Sequence, residues 1–350
     1  MASIKDVAKR AGVSTATVSH VLNHTKAVTE ETQEKVKAAI EELGYNLNVN
    51  ASGLKSRRTY NIGVILPKVT QVFFPEVLQG IDDAVSSTRY KIMYQSSDYN
   101  FTKEKELVRF LYSNWVDGLI IDSCCPKNSL MNYARELNQM MDGGRKIAII
   151  FTECNVALTG ISTIGIDNVK YAKVAMEHLF SKGHRRIAHI CGPKDLMMCD
   201  DNLEGYRQSL QDAGIRVEED LIAYGDYSSI SGYIATKKLL TGSSDFTAVF
   251  SANDQMAIGA IKALKESGRA VPRDVAVIGF DNIFVGTLVE PSLSTINVPK
   301  YKLGFESAAK LLKLMEDEKE EVECVELNCQ LIVRNSTDEA LRQDWELYGW

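Results

Sequence analysis

The chain has 350 residues, of which 45% are hydrophobic and 25% charged, a composition typical of a soluble globular protein of two or three domains. No apolar run approaches the ~20 residues of a membrane-spanning helix, and the early charges at Lys5 and Asp6 argue against a secretion signal. The seven cysteines lack Cys-x-x-Cys spacing, which argues against a zinc site or a disulfide framework and favours a reducing cytoplasm.

The net charge of −6 is divided unevenly along the chain. Residues 1–58 carry nine Lys/Arg against six Asp/Glu, whereas the remaining residues carry 31 against 40. A small basic segment on a large acidic body indicates a polyanion partner for the N-terminal segment only.

Three short helices are predicted in the first 60 residues, each from apolar side chains that recur at helical spacing. Gly12 is expected to end the first helix and Gly44 the third, because glycine is favoured just after a helix. The second helix is predicted from Thr15 to about Leu22 and the third from Glu30 to Leu43. The predicted N-terminal caps are Ser3 with Asp6 at capping-box spacing, Ser14 and Thr29.

The second helix has an apolar arc, formed by Val18, Val21 and Leu22, and an opposite arc of small polar side chains. A helix of this kind after a tight turn suits the major groove of DNA, although an ordinary three-helix bundle would show the same periodicity. The residues assigned to base edges are Thr15, Ala16 and His20, and those assigned to the phosphate backbone are Thr17, Ser19 and Asn23.

The segments 4–23, 28–32 and 39–45 together resemble the headpiece of the LacI/GalR family of bacterial transcription regulators. Within the family they are most similar to the purine-repressor type of headpiece, although Arg is the more usual family residue at the position of His20. The resemblance implies a hinge helix at about residues 48–56, from which Leu54 wedges into the minor groove and Lys55 reaches into it. The other interpretation is that Leu54 is a linker residue that packs on the body.

From residue 59 onward, strand and helix patterns alternate in two series, which predicts two lobes built on parallel sheets. Ligands of such sheets bind beyond the carboxyl ends of the strands, so the cleft between the lobes is the expected site. Segments such as 183–187, 251–260 and 278–282 extend the family resemblance through this body. The implied fold is an all-α helix-turn-helix headpiece plus an α/β periplasmic-binding-protein-like body of two parallel-sheet lobes. The expected boundaries are 1–47 for the headpiece, 48–58 for the hinge, 59–161 and 291–325 for the first lobe, 162–290 and 326–340 for the second, and 341–350 for the tail.

The resemblance also implies the residues that bind an effector. Phe73, Phe74 and Tyr227 match positions of aromatic side chains against the ligand, and Asn253 and Asp281 match polar positions. Asn202 stands where the family usually has Arg, so the charge and the bidentate fork of a guanidinium are absent there. Each assignment has a structural alternative to ligand binding. The two phenylalanines would serve packing, Asn253 would cap a helix, and Asp281 would cap the end of a strand.

The sequence has no phosphate-binding loop, nucleophile elbow or His-Glu-x-x-His metal motif, so an enzyme is not expected, nor a cofactor or a metal. The resemblance implies a cytoplasmic, sequence-specific repressor without membrane association that binds palindromic operator DNA as a homodimer and answers to a small effector, by family habit a sugar or sugar derivative. The alternatives are a solute-binding protein without a regulatory DNA role, and a regulator that answers to a nucleobase or to a partner protein.

Overall fold

The computed structural model describes residues 2–23, 26–45, 58–142, 144–242, 245–317 and 319–341. The chain divides into two compact units, Met1–Thr59 and Tyr60–Trp350. The predicted hinge residues Leu54 and Lys55 lie outside the described residues, as does the side chain of Asn23. In the described part of the chain, no helix is both long enough and apolar enough to cross a membrane.

The N-terminal unit contains the three predicted helices. They are α1 (Ile4–Ala11), α2 (Thr15–Asn23) and α3 (Glu30–Leu43). Their contact surface is a small apolar core that all three helices share. The buried members of that core are Val7, Ala8, Val18, Val21, Val36 and Ala39. Because Val18 and Val21 anchor α2 in this core, the opposite arc of α2 is left facing away from it.

Local hydrogen bonds account for the ends of these helices. Ser3 and Asp6 form the predicted capping box, in which the Ser3 hydroxyl accepts from the Asp6 N–H and the Asp6 carboxylate accepts from the Ser3 N–H. Ser14 Oγ accepts from the Thr17 N–H at 3.0 Å and so caps α2. The prediction for Thr29 is wrong in its detail, because its hydroxyl lies 2.9 Å from the Thr32 hydroxyl and makes no capping bond to the backbone.

The C-terminal unit contains two six-stranded sheets. The first sheet has the order β11-β5-β4-β3-β1-β2 and is parallel throughout, and the second has the order β12-β10-β9-β8-β6-β7 with only β12 antiparallel. The strands are β1 (Asn61–Leu66), β2 (Lys91–Ser96), β3 (Gly118–Asp122), β4 (Ala148–Thr152), β5 (Ser162–Gly165), β6 (Ile187–Cys191), β7 (Ile222–Tyr224), β8 (Ala248–Ser251), β9 (Ala276–Asp281), β10 (Ser294–Asn297), β11 (Cys324–Glu326) and β12 (Gln330–Ile332).

Helices alternate with these strands, as the pattern predicts. They are α4 (Phe73–Ser86), α5 (Phe101–Ser113), α6 (Leu130–Asp142), α7 (Asn168–Ser181), α8 (Met197–Asp212), α9 (Ser229–Thr241), α10 (Asp254–Glu266), α11 (Val285–Leu288) and α12 (Lys300–Glu316). The central strands of both sheets are buried over nearly their whole length, since helices pack against them.

Strand pairing corrects the predicted lobe boundaries. β5 pairs with β4 in the first sheet, although the sequence assigns 162–290 to the second lobe. β10 pairs with β9 in the second sheet, although the sequence assigns 291–325 to the first. The chain therefore crosses between the lobes after Gly165, after Asn297 and again between β11 and β12. The sequence places these boundaries only approximately, at about 161 and 290, because a four-residue strand carries no local signal of the sheet that it joins.

Candidate DNA-binding helix and ligand cleft

The arc of α2 that faces away from the headpiece core contains the predicted base-reading side chains. Thr15 and Ala16 are exposed, and His20 is half-buried. The predicted phosphate contacts Thr17 and Ser19 are also half-buried, and the Thr17 hydroxyl lies 2.9 Å from the Ser14 hydroxyl at the start of the helix. A helix anchored on one face, with small polar groups on the other, is able to enter a major groove.

All six predicted effector residues line one cavity in the C-terminal unit. The cavity lies between the carboxyl ends of the two sheets, and the space between its lining atoms, open solvent included, is about 400 Å³. Its described lining consists of Gln71, Phe73, Phe74, Tyr99, Glu153, Asn168, Met198, Asn202, Tyr227, Ala252, Asn253, Phe280 and Asp281. The structure thus brings the six residues together, at the place where the two-lobe architecture predicts a ligand.

The aromatic walls of the cavity come from both lobes. Phe73 and Phe74 begin α4 and meet edge to face, with ring centroids 5.2 Å apart. Tyr99 follows β2, and its ring lies 5.6 Å from the ring of Tyr227, which follows β7 in the other lobe. These rings offer apolar faces to any ligand that enters.

The predicted polar residues differ in how their side chains are used. Asn253 caps α10 by accepting from the Met256 N–H at 2.9 Å, and it donates to the carbonyl of Tyr227 at 3.1 Å. By contrast, Asn202 Oδ1 and the Tyr227 hydroxyl are buried without a hydrogen-bond partner among the described residues. The Asn253 side chain therefore stabilises the fold and also lines the cavity. Asn202 and Tyr227 each keep a polar atom that is able to form a further hydrogen bond.

Carboxylic acids give the cavity its electrostatic character. Glu153 follows β4 and forms a hydrogen bond with Asp122, the last residue of β3, which also accepts from the Thr152 hydroxyl at 3.0 Å. Burial raises the pKa of Asp122 to about 6, and burial together with the Asp122 charge raises the pKa of Glu153 well above its ordinary value. Desolvation, with the nearby Asp254 carboxyl, also raises the pKa of Asp281.

Lys300 holds the end of β9 in place. Its ammonium group donates to the backbone carbonyls of Asp281 and Asn282, at 2.8 and 3.0 Å, and lies 3.5 Å from the Glu76 carboxylate. Because Lys300 begins α12 in the first lobe and Asp281 ends a strand of the second, this contact joins the lobes beside the cavity.

Four lining residues other than glycine have positive φ angles. They are Tyr99 at 56°, Glu153 at 52°, Tyr227 at 66° and Asp281 at 111°. Such conformations cost energy and are often found at binding sites, where the surrounding structure imposes them. All four follow or end a strand, so the strand ends are shaped to turn these side chains toward the cavity.

Seven lining residues were not among the predicted ones, namely Gln71, Tyr99, Glu153, Asn168, Met198, Ala252 and Phe280. Tyr99 and Glu153 come just after predicted strands, so the rule that ligands bind at strand ends would have found both. A neighbouring chamber that shares Tyr99, Glu153 and Met198 was missed too, and it is lined in part by Cys124, Cys125, Cys154 and Met197.

Comparison with known proteins identifies both units. Residues 3–48 match the family model of bacterial regulatory proteins of the lacI family, and residues 176–337 match that of the periplasmic binding protein-like domain. Among solved structures, the chain resembles the transcriptional regulator CelR–cellobiose complex, with a TM-score of 0.70 and 32% identity over 96% of this chain and 100% of that one. It also resembles the Lac repressor dimer bound to operator and the anti-inducer ONPF, with a TM-score of 0.82 and 28% identity. That match covers 96% of this chain and 99% of the Lac repressor chain.

The relatives by sequence are regulators as well. The chain is 35% identical over 336 residues to the HTH-type transcriptional regulator RegA of Clostridium saccharobutylicum, which covers 96% of this chain and 99% of RegA. It is also 35% identical to the HTH-type transcriptional repressor PurR of Proteus mirabilis. That alignment of 337 residues covers 96% of this chain and 97% of PurR. Since the headpiece, the two-lobed body and nearly the whole length are shared with these regulators, the chain belongs to the LacI family and is a DNA-binding transcriptional regulator.

Proposed function

We propose that this protein is a dimeric repressor that reads a palindromic operator and whose affinity for it is set by a small molecule bound in the cleft. DNA binding is supported by the two faces of α2. One face is buried at Val18 and Val21, and the other is accessible. In our assignment Thr15, Ala16 and His20 contact base edges.

The rest of the proposed DNA interface positions the headpiece. Thr17, Ser19 and Asn23 contact phosphates, which fix register without reading sequence. Leu54 and Lys55 enter the minor groove between the two half-sites, where an apolar wedge kinks the duplex. The solved Lac repressor dimer on its operator supports a two-fold arrangement, and two-fold symmetry calls for a palindromic site.

The effector half of the proposal rests on the cavity lining. Phe73, Phe74 and Tyr227 supply stacking faces, while Asn202, within α8, and Asp281, at the end of β9, supply polar groups. We assign a sugar or sugar derivative as the effector, and the CelR–cellobiose complex shows a sugar bound to a protein of similar fold. We assign the protein no catalytic activity, and we place its action in the cytoplasm.

Selection of operators from a random duplex pool tests the DNA half. The pool is bound to the full-length protein at about 0.15 M salt, where non-specific binding is suppressed, both without ligand and with neutral sugars and purine bases added. We expect enrichment of a palindrome, with a Kd near ~10⁻⁸ M by fluorescence anisotropy.

Two variants then locate the contacts. His20→Ala should weaken binding to the selected palindrome about tenfold or more while leaving binding to a scrambled duplex unchanged, since a base contact contributes about 1–3 kcal/mol of discrimination. Leu54→Ala should also weaken operator binding. Ala38→Ser, an exposed change on α3, is the control. A protein that enriches no sequence under any of the conditions would refute the proposal.

A further inference from the structure

The cavity has no positive charge in its described lining, although two of its side chains are carboxylic acids, Glu153 and Asp281. Two ammonium groups at the contacts between the lobes have other partners. Lys300 donates to two backbone carbonyls, and Lys127 is 2.6 Å from the Asp201 carboxylate and 3.2 Å from that of Glu204. An anionic ligand would therefore be desolvated among acids without a counter-charge, which is strongly unfavourable.

Two buried polar atoms in the wall lack partners. The residues Asn202 and Tyr227 are only 3% and 5% exposed, and neither Asn202 Oδ1 nor the Tyr227 hydroxyl has a hydrogen-bond partner among the described residues. Leaving such a group buried and unpaired is unfavourable, because it loses its hydrogen bonds to water. A ligand that donates to Asn202 Oδ1 and hydrogen-bonds the Tyr227 hydroxyl would remove that cost.

The carboxyl groups add acceptors but little fixed charge. Burial and the facing Asp122 carboxyl favour the protonated form of Glu153. Burial raises the pKa of all three acids, Asp122, Glu153 and Asp281. The cavity can therefore be close to neutral, and a neutral donor suits it better than an ammonium ion.

We propose that the effector is an uncharged ring bearing hydroxyl groups, which supplies the missing partners of Asn202 and Tyr227, and that the cleft rejects the phosphorylated and carboxylated forms of the same ring. The aromatic faces of Phe73, Phe74 and Tyr227 stack on the apolar side of such a ring. This inference rests on the proposed effector role of the cleft and adds the charge and hydrogen-bonding class of its ligand.

Calorimetric titration of the full-length protein tests the ligand class. The probes are glucose, galactose, ribose, cellobiose and lactose, then glucose 6-phosphate, ribose 5-phosphate, glucuronate and glucosamine, and finally hypoxanthine and guanine. We expect at least one neutral sugar to bind, and its charged counterparts to bind at least 100-fold more weakly. Equal or tighter binding of a charged form, binding of a purine base alone, or binding of none of the neutral sugars would overturn the inference. Operator selection without ligand is a separate readout, so the repressor assignment can survive any of these results.

A pair of tyrosine variants tests the unpartnered hydroxyl. Tyr227→Phe removes a hydroxyl that has no partner in the unliganded protein, so it should lower sugar affinity several-fold to about tenfold without lowering the melting temperature. Tyr206 is the matched control, because it is equally buried but donates to the carbonyl of Ile187 at 2.7 Å and does not line the cavity. Tyr206→Phe should lower the melting temperature and leave sugar affinity unchanged. Unchanged affinity in Tyr227→Phe would contradict the assignment.

Discussion

One of the buried acids that couple the stability of the body to pH lies outside the cavity. Glu104 on α5 is fully buried, and its carboxyl group accepts from the Cys124 N–H at 2.6 Å and from the Ser123 hydroxyl at 2.7 Å. Burial raises its pKa from 4.5 to about 7, and the neighbouring Asp122 carboxyl contributes to the increase. The hydrogen bonds oppose the increase without cancelling it.

The raised pKa predicts the direction of a pH effect. Between about pH 4.5 and pH 7 the folded protein keeps a proton on Glu104 that the unfolded chain releases, so stability falls as pH rises through this window. Glu104→Gln should flatten that fall, by about 3 kcal/mol at most. Urea unfolding of the body at pH 5 and pH 8 measures the change.

The control for this prediction is on the same helix. Glu106 is exposed, so its carboxylate is hydrated in the folded and unfolded chains alike, and Glu106→Gln should leave the difference between pH 5 and pH 8 unchanged. If Glu104→Gln loses as much stability between the two pH values as the unmodified protein does, the assignment to Glu104 is wrong.

At the scale of residues, the sequence predicts the location of the candidate ligand site better than the roles of the residues within it. The six lining positions follow from the resemblance and from strand ends, both of which are properties of the chain itself. Which atoms are left unpaired is a property of the fold, since Asn253 and Asn202 are the same residue type but only Asn253 caps a helix. The sequence offers the helix cap as one interpretation of Asn253, but nothing local to Asn202 shows that its Oδ1 lacks a partner.

At the scale of elements, glycine sets the distance between α4 and α12. A Cβ on Gly80 would overlap the carbonyl oxygen of Tyr301 and lie 2.8 Å from the Phe305 nitrogen. A Cβ on Gly304 of α12 would likewise overlap the carbonyl oxygen of Val77. The two helices therefore pack backbone against backbone, which fixes α12 on the first lobe next to the second crossing.

Gly80→Ala should therefore destabilise the body. Alanine gains up to about 1 kcal/mol of helix propensity over glycine, but overpacking against backbone atoms costs about 1–3 kcal/mol or more, and we expect a net loss of about 2 kcal/mol in urea unfolding. Gly286→Ala on α11 is the control, because its Cβ would make an ordinary contact of 3.5 Å with Leu293 Cβ. Equal effects of the two substitutions would show that helix packing does not set the tolerance.

Some elements of the body carry a local sequence signal and others do not. α7 was predictable, since Tyr171, Ala172, Ala175, Met176 and Leu179 bury one face at helical spacing. β11 and β12 were not, because each is only three residues long and pairs with a strand far away in the chain. The start of α8 at Met197 also has no local signal, since Leu196 provides no side-chain cap.

At the scale of the whole molecule, contacts between the lobes hold the cleft in the described geometry. The Val72 N–H of the first lobe donates to Gln255 of the second at 3.3 Å, and Lys127 pairs with Asp201 across the same opening. Together with Lys300, these contacts surround the cavity, so a ligand that displaces or strengthens them would change how the lobes close. A ligand that binds the more closed and the more open arrangement of the lobes with different affinity would thereby change the affinity of the protein for its operator.

The proposed dimer has a candidate surface on the second lobe. Ile230 and Ile234 lie one turn apart on α9 and are 68% and 61% exposed, more than any other large apolar side chain described. In a two-fold dimer the same face of both copies meets, so each substitution counts twice. Burying these isoleucines against a second copy would remove apolar surface from water, at roughly 25 cal/mol per Å².

Glutamate at both positions should therefore dissociate the dimer. In the double variant Ile230→Glu/Ile234→Glu, four like charges would be brought together at the interface, and sedimentation velocity at micromolar concentration should show a monomer. Operator affinity should fall with it, because a palindrome then binds one headpiece at a time, whereas the unfolding transition of the body should be unchanged since both side chains are exposed in the single chain. Phe110→Glu, at a 48% exposed apolar position on α5, is the control and should remain dimeric. A double variant that still sediments as a dimer would place the interface on another face of the body.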